Sequence, residues 1–299
     1  MLDARQLEAL AAVVEHGGFG PAAKALHLTL AAVSQRIKAL ESELGARLLV
    51  RGKTVHATAA GQALLAHVKQ VRAMESDLLA DMQGASSVDG GAGGAARAWQ
   101  TLAVAVNVDS VASWFLPGIA PLLKKQRLLL DIVIDDQDYT HAALKSGDVL
   151  GCVTTLARPL RGCLAEPLGR LHYHAVAAPA LAKQCKDRQG KLSAHQLLAQ
   201  PAVIFNRKDA LSDAWLEQHF GLHQPPYPRH FAPSNEAYHT AIALGLGWGM
   251  VPAHDLKTHG KAYEELLPGV TVDVALYWQH WTRESPSAQR LTEAVKAAA

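Results

Sequence analysis

The sequence predicts two unlike halves: an all-helical N-terminal part ending in one long helix, and a C-terminal α/β part. Three observations carry this. Residues 1–83 run in amphipathic helical periods, broken only by a short alternating stretch near 46–57. The segment QGASSVDGGAGGAARA, residues 83–98, replaces core-forming residues with Gly, Ser and Ala, as a flexible hinge does. Beyond it, apolar runs rich in β-branched residues alternate with helical patterns, which implies α/β units with largely parallel sheets. A chain of 299 residues is also too long for one ordinary core.

The first helix is expected to end at Gly17-Gly18 and the second to start near Phe19, with Pro21 in its first turn. Leu7, Leu10, Val14, Phe19, Ala23 and Leu26 would form a small three-helix core. In the third helix Val33, Ile37, Leu40 and Leu44 fall on one stripe, whereas Ala31, Ser34, Gln35, Lys38 and Ser42 lie opposite. Small and hydrogen-bonding side chains on such a face suit a DNA major groove. Thr29 is a candidate N-cap that would aim the helix's positive end at a phosphate, with Arg36 as a further phosphate contact.

Residues 1–57 therefore read as a helix-turn-helix with a two-stranded wing, ARLLVRGKTVHAT, whose Arg51 and Lys53 would meet the DNA backbone. Charge agrees: residues 20–72 hold eight Lys/Arg against two acids, although the whole chain carries only +2. A helical bundle with a merely solvated charged face is the competing reading.

Thr58 would cap a linker helix over 58–83, in which Leu64, Val68, Val71, Leu78 and Met82 follow a 4-3 spacing interrupted by Glu75. Such a stripe pairs with a second copy of itself or packs on its own domain. A hinge over 84–98 and a ligand-binding half over 99–299 complete the order.

Several function classes are excluded or weakened. No apolar run approaches the ~20 residues of a membrane span. The start, MLDARQLEAL, interleaves charges in a helical period unlike an export signal, so a cytoplasmic, nucleoid-associated protein is expected. Cys152, Cys163 and Cys185 lack metal-ligand spacing and read as buried thiols. His172 and His174 in HYH share a strand face, the beginning of a metal site that nothing nearby completes, so no metal is expected. No phosphate loop, serine elbow or paired-carboxylate motif supports an enzyme.

The stretch FGPAAKALHLTLAAVSQRIKALESELGARLLVR resembles the N-terminal domain of LysR-type transcriptional regulators. That family usually carries a polar pair where this chain has Leu30 and Ala31, which shifts base reading toward Ser34, Gln35 and Lys38. The segments LAVAVNVDSVASWFLPGIAPLL, DDQDYTHAALKSGDVLGCVTT, GLGWGMVP and LYWQHWTRESPSAQRLTEAV extend the resemblance over nearly the whole chain. They are most similar to the ArgP/LysG branch, which senses basic amino acids.

The resemblance implies a periplasmic-binding-protein-like effector domain, with subdomain I over 99–165 and 270–299 and subdomain II over 166–269. It implies lysine or arginine, with histidine a further option, as effector, no cofactor, and control of genes such as an amino-acid exporter. It also implies dimerisation through the linker helix, a homotetramer, contact with promoter DNA and RNA polymerase, and activation. A LysR-type regulator of another small molecule and a solute-binding protein are the alternatives.

For such a ligand, Asn107, Ser110 and the adjoining backbone N–H groups at a strand-to-helix turn would take the α-carboxylate. Asp109, Asp135, Asp136 and Glu236 are candidate partners for the side-chain cation, and Trp114 a cation–π face. Thr154, Asn206 and Ser234 are hydrogen-bonding candidates. Each acid and amide also has a simpler role as a helix cap or turn residue.

Overall fold

The computed structural model describes residues 2–50, 52, 55–86, 99–134, 137–260 and 262–299. Arg51, Lys53, Asp135 and Asp136 fall outside these, as do 87–98 of the expected hinge.

Three helices open the chain: α1 (Ala4–Glu15), α2 (Phe19–Ala25) and α3 (Leu30–Leu44). Asp3 caps the first, its carboxylate accepting from Arg5 N. Thr29 caps the third, its Oγ1 accepting from Ala32 N at 3.1 Å. Leu10, Val13, Ala22, Ala23, Val33, Ile37, Leu40 and Leu48 are buried together, with Leu7, Val14, Phe19 and Leu26 packed around them. Leu44 departs from the expected stripe and is exposed. The helix stops there, at Gly45 in the left-handed region (φ 61), before a covering element begins.

Glu41 ties α3 to the segment beyond Gly45 by accepting from Leu48 N at 2.8 Å. Strands β1 (Leu49–Val50) and β2 (His56–Ala57) then pair antiparallel as a short wing. Thr58 donates to Arg47 O at 2.7 Å and accepts from Gly61 N at 3.1 Å, starting α4 (Ala59–Ser86). This helix has 28 residues, about 42 Å at the usual rise. It reaches three residues past the expected end.

The chain divides into two compact units, 1–166 with 277–299 and 167–276. The return at 276/277 lies beyond the expected position near 270, because β11 (Thr271–Trp281) is one uninterrupted strand. In the first unit β3 (Gln100–Ala105) lies between two parallel neighbours, β4 (Leu128–Val133) and β5 (Gly151–Thr154). One helical run comes after β3: α5 (Val108–Ser110), a π-helical turn (Val111–Phe115) and α6 (Leu116–Lys125). α7 (Gln137–Lys145) crosses from β4 to β5, and β11 joins β5 antiparallel. Trp278 covers Gly151 so closely that a Cβ there would sit 2.2 Å from the ring.

β6 (Cys163–Ala177) opens the second unit, succeeded by α8 (Pro179–Gln184), α9 (Ala194–Leu198), β7 (Ala202–Ile204) and α10 (Leu211–Phe220). Next come β8 (Arg229–Phe231), α11 (Asn235–Ala243), β9 (Gly249–Pro252), α12 (Ala253–His259) and β10 (Glu264–Glu265). β9 and β10 pair antiparallel with β6, and β7 pairs parallel with β8. Trp215, Trp248, Leu197 and Met250 centre this core. The C-terminal helix α13 (Pro286–Ala298) returns to the first unit.

Parallel pairing is thus a smaller share than the alternating pattern predicts. The extended strands β6 and β11 run through without a helical crossover, which is what parallel neighbours require. All three cysteines are buried thiols; burial raises Cys152 to about 12 and Cys163 and Cys185 to about 11. No helix among the described residues is long and apolar enough to cross a membrane.

Candidate functional site

Burial of Val33, Ile37 and Leu40 turns the other side of α3 outward, so Ala31, Gln35 and Lys38 stand exposed on it, with Thr29 at its start. Ser34 is half-buried at the edge of that face. Arg36 is drawn back toward α1, its Nη1 donating to Arg5 O at 3.5 Å. Leu30, in the first turn, is exposed.

On α4 the five expected dimer residues separate. Leu64 and Val68 pack into the core of the chain's own helical domain, because they lie in the first turns, beside the core of α1 to α3. Val71, Leu78 and Met82 are exposed, the last two 60% and 59%, and Met74 joins them. An apolar stripe this open is unusual on a solvated helix.

In the first unit the three parallel strands end at a common edge, where the chain's direction of winding reverses about β3. α/β sheets bind small molecules at such an edge. Asn107 lies just past β3 there, and Ser110 sits in the first turn of the helical run. Ser110 is 0% exposed, and among the described residues neither its Oγ nor Asn107 Oδ1 has a hydrogen-bond partner. A buried hydroxyl without a partner costs roughly 1–3 kcal/mol, which a bound acceptor recovers.

The π-helical turn beyond Ser110 inserts one extra residue at this place, a feature common at ligand sites. Within it Trp114 stands edge-on to Phe115, centroids 5.7 Å apart, and remains half-buried. Ser113 Oγ donates to Asp109 O at 2.5 Å, fixing the turn. Thr154 ends β5 beside this turn in the strand register; its buried Oγ1 lies 3.2 Å from His141 Nε2 and accepts from Leu156 N at 3.3 Å. Sequence reasoning missed His141, which sits among other polar residues in the first turns of α7 and carries no separate signal.

The second-unit candidates do not gather in the same way. Asn206 Oδ1 accepts from Lys208 N at 2.8 Å and Asp209 N at 3.1 Å, closing its own turn. Ser234 caps α11 through Ala237 N at 3.1 Å. Glu236 is exposed in the first turn of that helix. The simpler local roles account for the Asn206 and Ser234 oxygens because loop backbone N–H groups compete for them at short range. A groove of about 770 Å³ in this unit, bordered by Lys186, Phe220, Tyr263 and Glu264, contains none of the expected effector residues.

The HYH histidines take separate partners, His172 Nδ1 at 2.7 Å from Asp273 and His174 Nδ1 at 3.0 Å from Glu265. Among the described residues no group of three or more potential ligands could hold a metal ion.

Comparison with known proteins places these sites in context. Residues 4–62 match the bacterial regulatory helix-turn-helix protein family of LysR, and residues 100–299 match the LysR substrate binding domain. The chain is 38% identical over 301 residues to the transcriptional regulator ArgP of Pseudomonas aeruginosa, covering 100% of this chain and 96% of that protein. A crystal structure of ArgP from Mycobacterium tuberculosis matches 100% of this chain and 97% of its own, at 37% identity and TM-score 0.88. Full-length LysG from Corynebacterium glutamicum with bound effector Arg matches 99% and 98%, at 31% identity and TM-score 0.83. With a matching DNA reader, a matching ligand-binding half and relatives aligned end to end, the chain belongs to the LysR family of transcriptional regulators, in the ArgP/LysG branch.

Proposed function

We propose that this regulator senses a basic amino acid, arginine or lysine, through the turn that holds Asn107 and Ser110. The observation that carries the reading is the buried, unpartnered pair of polar atoms at the carboxyl end of β3. The similarity to an arginine-bound LysG supports the ligand class. In this reading Ser110 Oγ donates to the ligand α-carboxylate and the first N–H groups of the helical run add their positive end. Thr154 and Trp114 border the ligand, and Asp109 with Asp135 or Asp136 meets the side-chain cation. Asn206, Ser234 and Glu236 are left out of this assignment.

Two copies pair through Val71, Met74, Leu78 and Met82, each presenting the face of α3 to one half of a two-fold site in promoter DNA. Thr29, Ala31, Ser34, Gln35 and Lys38 face the bases, while Arg51 and Lys53 reach phosphates. A homotetramer that engages RNA polymerase, acting in the cytoplasm on genes such as an amino-acid exporter, completes the reading.

Calorimetric titration with L-arginine, L-lysine and L-norleucine tests it. Saturable heat with a basic ligand and none with norleucine is expected, and Ser110→Ala should weaken binding about 10- to 150-fold, the loss of a hydrogen bond to a charged group. Heat from norleucine equal to that from lysine would remove the cation site. Leu78→Asp should convert the protein to monomers in sedimentation and weaken operator binding at least about 100-fold; an unchanged mass would assign the stripe elsewhere.

A further inference from the structure

The linker helix carries a buried carboxylate with no part in the DNA reader. Asp77 is 2% exposed. Removing a carboxylate from water is costly unless every lone pair is met, and here the partners come from the ligand-binding half. Asp77 Oδ2 accepts from Ser287 N at 2.8 Å and Oδ1 from Ser287 Oγ at 2.7 Å. Gln100 Nε2 donates to Oδ1 at 2.7 Å. Ser287 lies in the first turn of α13, behind its N-cap Ser285, so Asp77 caps that helix from another element and faces its positive end. Burial would raise the Asp77 carboxyl, but the bonds from Ser287, Ser285 and Gln100 outweigh it and hold it below the ordinary carboxylate value.

A second anchor lies two turns earlier on α4. Lys69 Nζ donates to Ser146 O at 3.2 Å and pairs with Asp148 at 2.5 Å. The turn approaches α4 through Gly147 (φ +71), where an added Cβ would stand 3.1 Å from Ala66 Cα. Asp77 therefore lies on the docked side of α4, roughly 60–140° around the helix from the exposed Val71, Met74, Leu78 and Met82.

Both Asp77 partners lead back to the turn that holds Asn107 and Ser110. Gln100 is the first residue of β3, and Asn107 lies just past its last. Helix α13 packs on α6 so closely that a Cβ on Gly118 would meet Ala298 Cβ at 2.0 Å, and α6 continues the run whose first turn holds Ser110. A strand and a pair of tightly packed helices thus join the pocket to one carboxylate on the dimerising helix.

We propose that Asp77 is the positioning residue through which occupancy of the Asn107–Ser110 pocket reaches the linker helix and the DNA readers. The inference rests on the effector reading above and adds the joint that transmits it. Linkage requires that the joint work in both directions, so DNA binding must also alter the first turn of α13.

The experiment compares full-length wild type with Asp77→Ala, Asp77→Asn and Ser287→Ala. Arginine affinity is measured by calorimetry, and operator affinity with and without arginine by fluorescence anisotropy. Allosteric coupling of ordinary size changes operator affinity about 5- to 150-fold. Asp77→Ala is expected to keep arginine affinity within about twofold of wild type while the arginine effect on DNA falls below about twofold. An arginine effect as large as in wild type overturns the proposal. If Asp77→Ala does not fold, the other two variants decide by the same ratio, expected to fall at least about threefold. If wild type gives no heat with arginine or lysine, the pocket reading fails, and the joint is judged by hydrogen exchange at residues 285–290 with and without operator DNA. A protection change present in wild type and lost in the variants keeps the joint; the same change in all of them, or none in wild type, overturns it.

Discussion

Replacing Trp278 with alanine is expected to lower the unfolding free energy by about 3–5 kcal/mol, the usual cost of emptying a large aromatic site. Trp278 is almost wholly buried, and its Nε1 donates to Thr292 Oγ1 at 2.9 Å, so the change removes both packing and a satisfied polar atom. Gly151→Ala should also destabilise, by about 1–3 kcal/mol, because its methyl would enter the same ring. Combined, the two losses should be clearly less than additive, since the alanine methyl occupies space the indole vacates. Urea denaturation of the four proteins measures this. Strict additivity would show that Gly151 is constrained by something other than Trp278.

The second large effect concerns His280, buried between two carboxylates. Its Nδ1 lies 3.1 Å from Glu284 and its Nε2 3.3 Å from Glu166. Glu166 also receives Lys296 Nζ at 2.8 Å, and Glu284 receives Thr292 Oγ1 at 2.7 Å. Burial disfavours the imidazolium, yet Glu284 and then Glu166 outweigh it and raise the His280 pKa above 6.5. A raised folded-state value means that the stabilisation is complete below the unfolded value of about 6.5 and is lost as pH rises through the folded value.

His280→Leu should therefore cost about 1–3 kcal/mol at pH 6, where the half-buried Glu284 and Glu166 lose a charged neighbour, and distinctly less at pH 9. The same denaturation experiment at both pH values checks it, and a pH-independent difference would rule out the charge account. Asp77 is a useful contrast. Its depressed value puts its contribution fully in place above about pH 4, so it does not change over this window.

The N-terminal domain was legible because short helices are written locally: caps at Thr29 and Thr58, the stop before Gly45 and the stripe through Val33, Ile37 and Leu40 are all set by neighbours in sequence. The strands of the first unit were legible for the same reason. β8 and β10 were not, since RHF and EE carry no apolar alternation, and Pro167 and Gly169 disguised the first half of β6. At the turn after β3, Ser110 could be anticipated from a strand-to-helix pattern, whereas its lack of a partner could not. Asn206 and Ser234 looked alike as ligands or caps, because the same side-chain oxygen serves both, and only geometry separates them. Asp77 was invisible: one of three acids in a helix, between Glu75 and Asp81, reads as solvated until a residue 210 positions away arrives to bury it.

Helix α4 is shared property of the two ends of the chain, and that limits how such regulators can be recombined. Its early turns belong to the DNA reader through Leu65 and Val68, whereas Asp77 belongs to α13. A chimera cut in the Gly/Ser/Ala-rich segment, the place a sequence most invites, would bring in a foreign helix and leave Ser287 in the first turn of α13 without Asp77. A cut between Val68 and Lys69 keeps Leu65 and Val68 with the reader and Lys69 and Asp77 with the sensor, and leaves the Arg72–Glu15 ion pair and the Ala66–Gly147 approach to be matched across it. Grafting a new promoter specificity onto this sensor therefore requires a seam inside a continuous helix, matched in phase so that both faces keep their bearings.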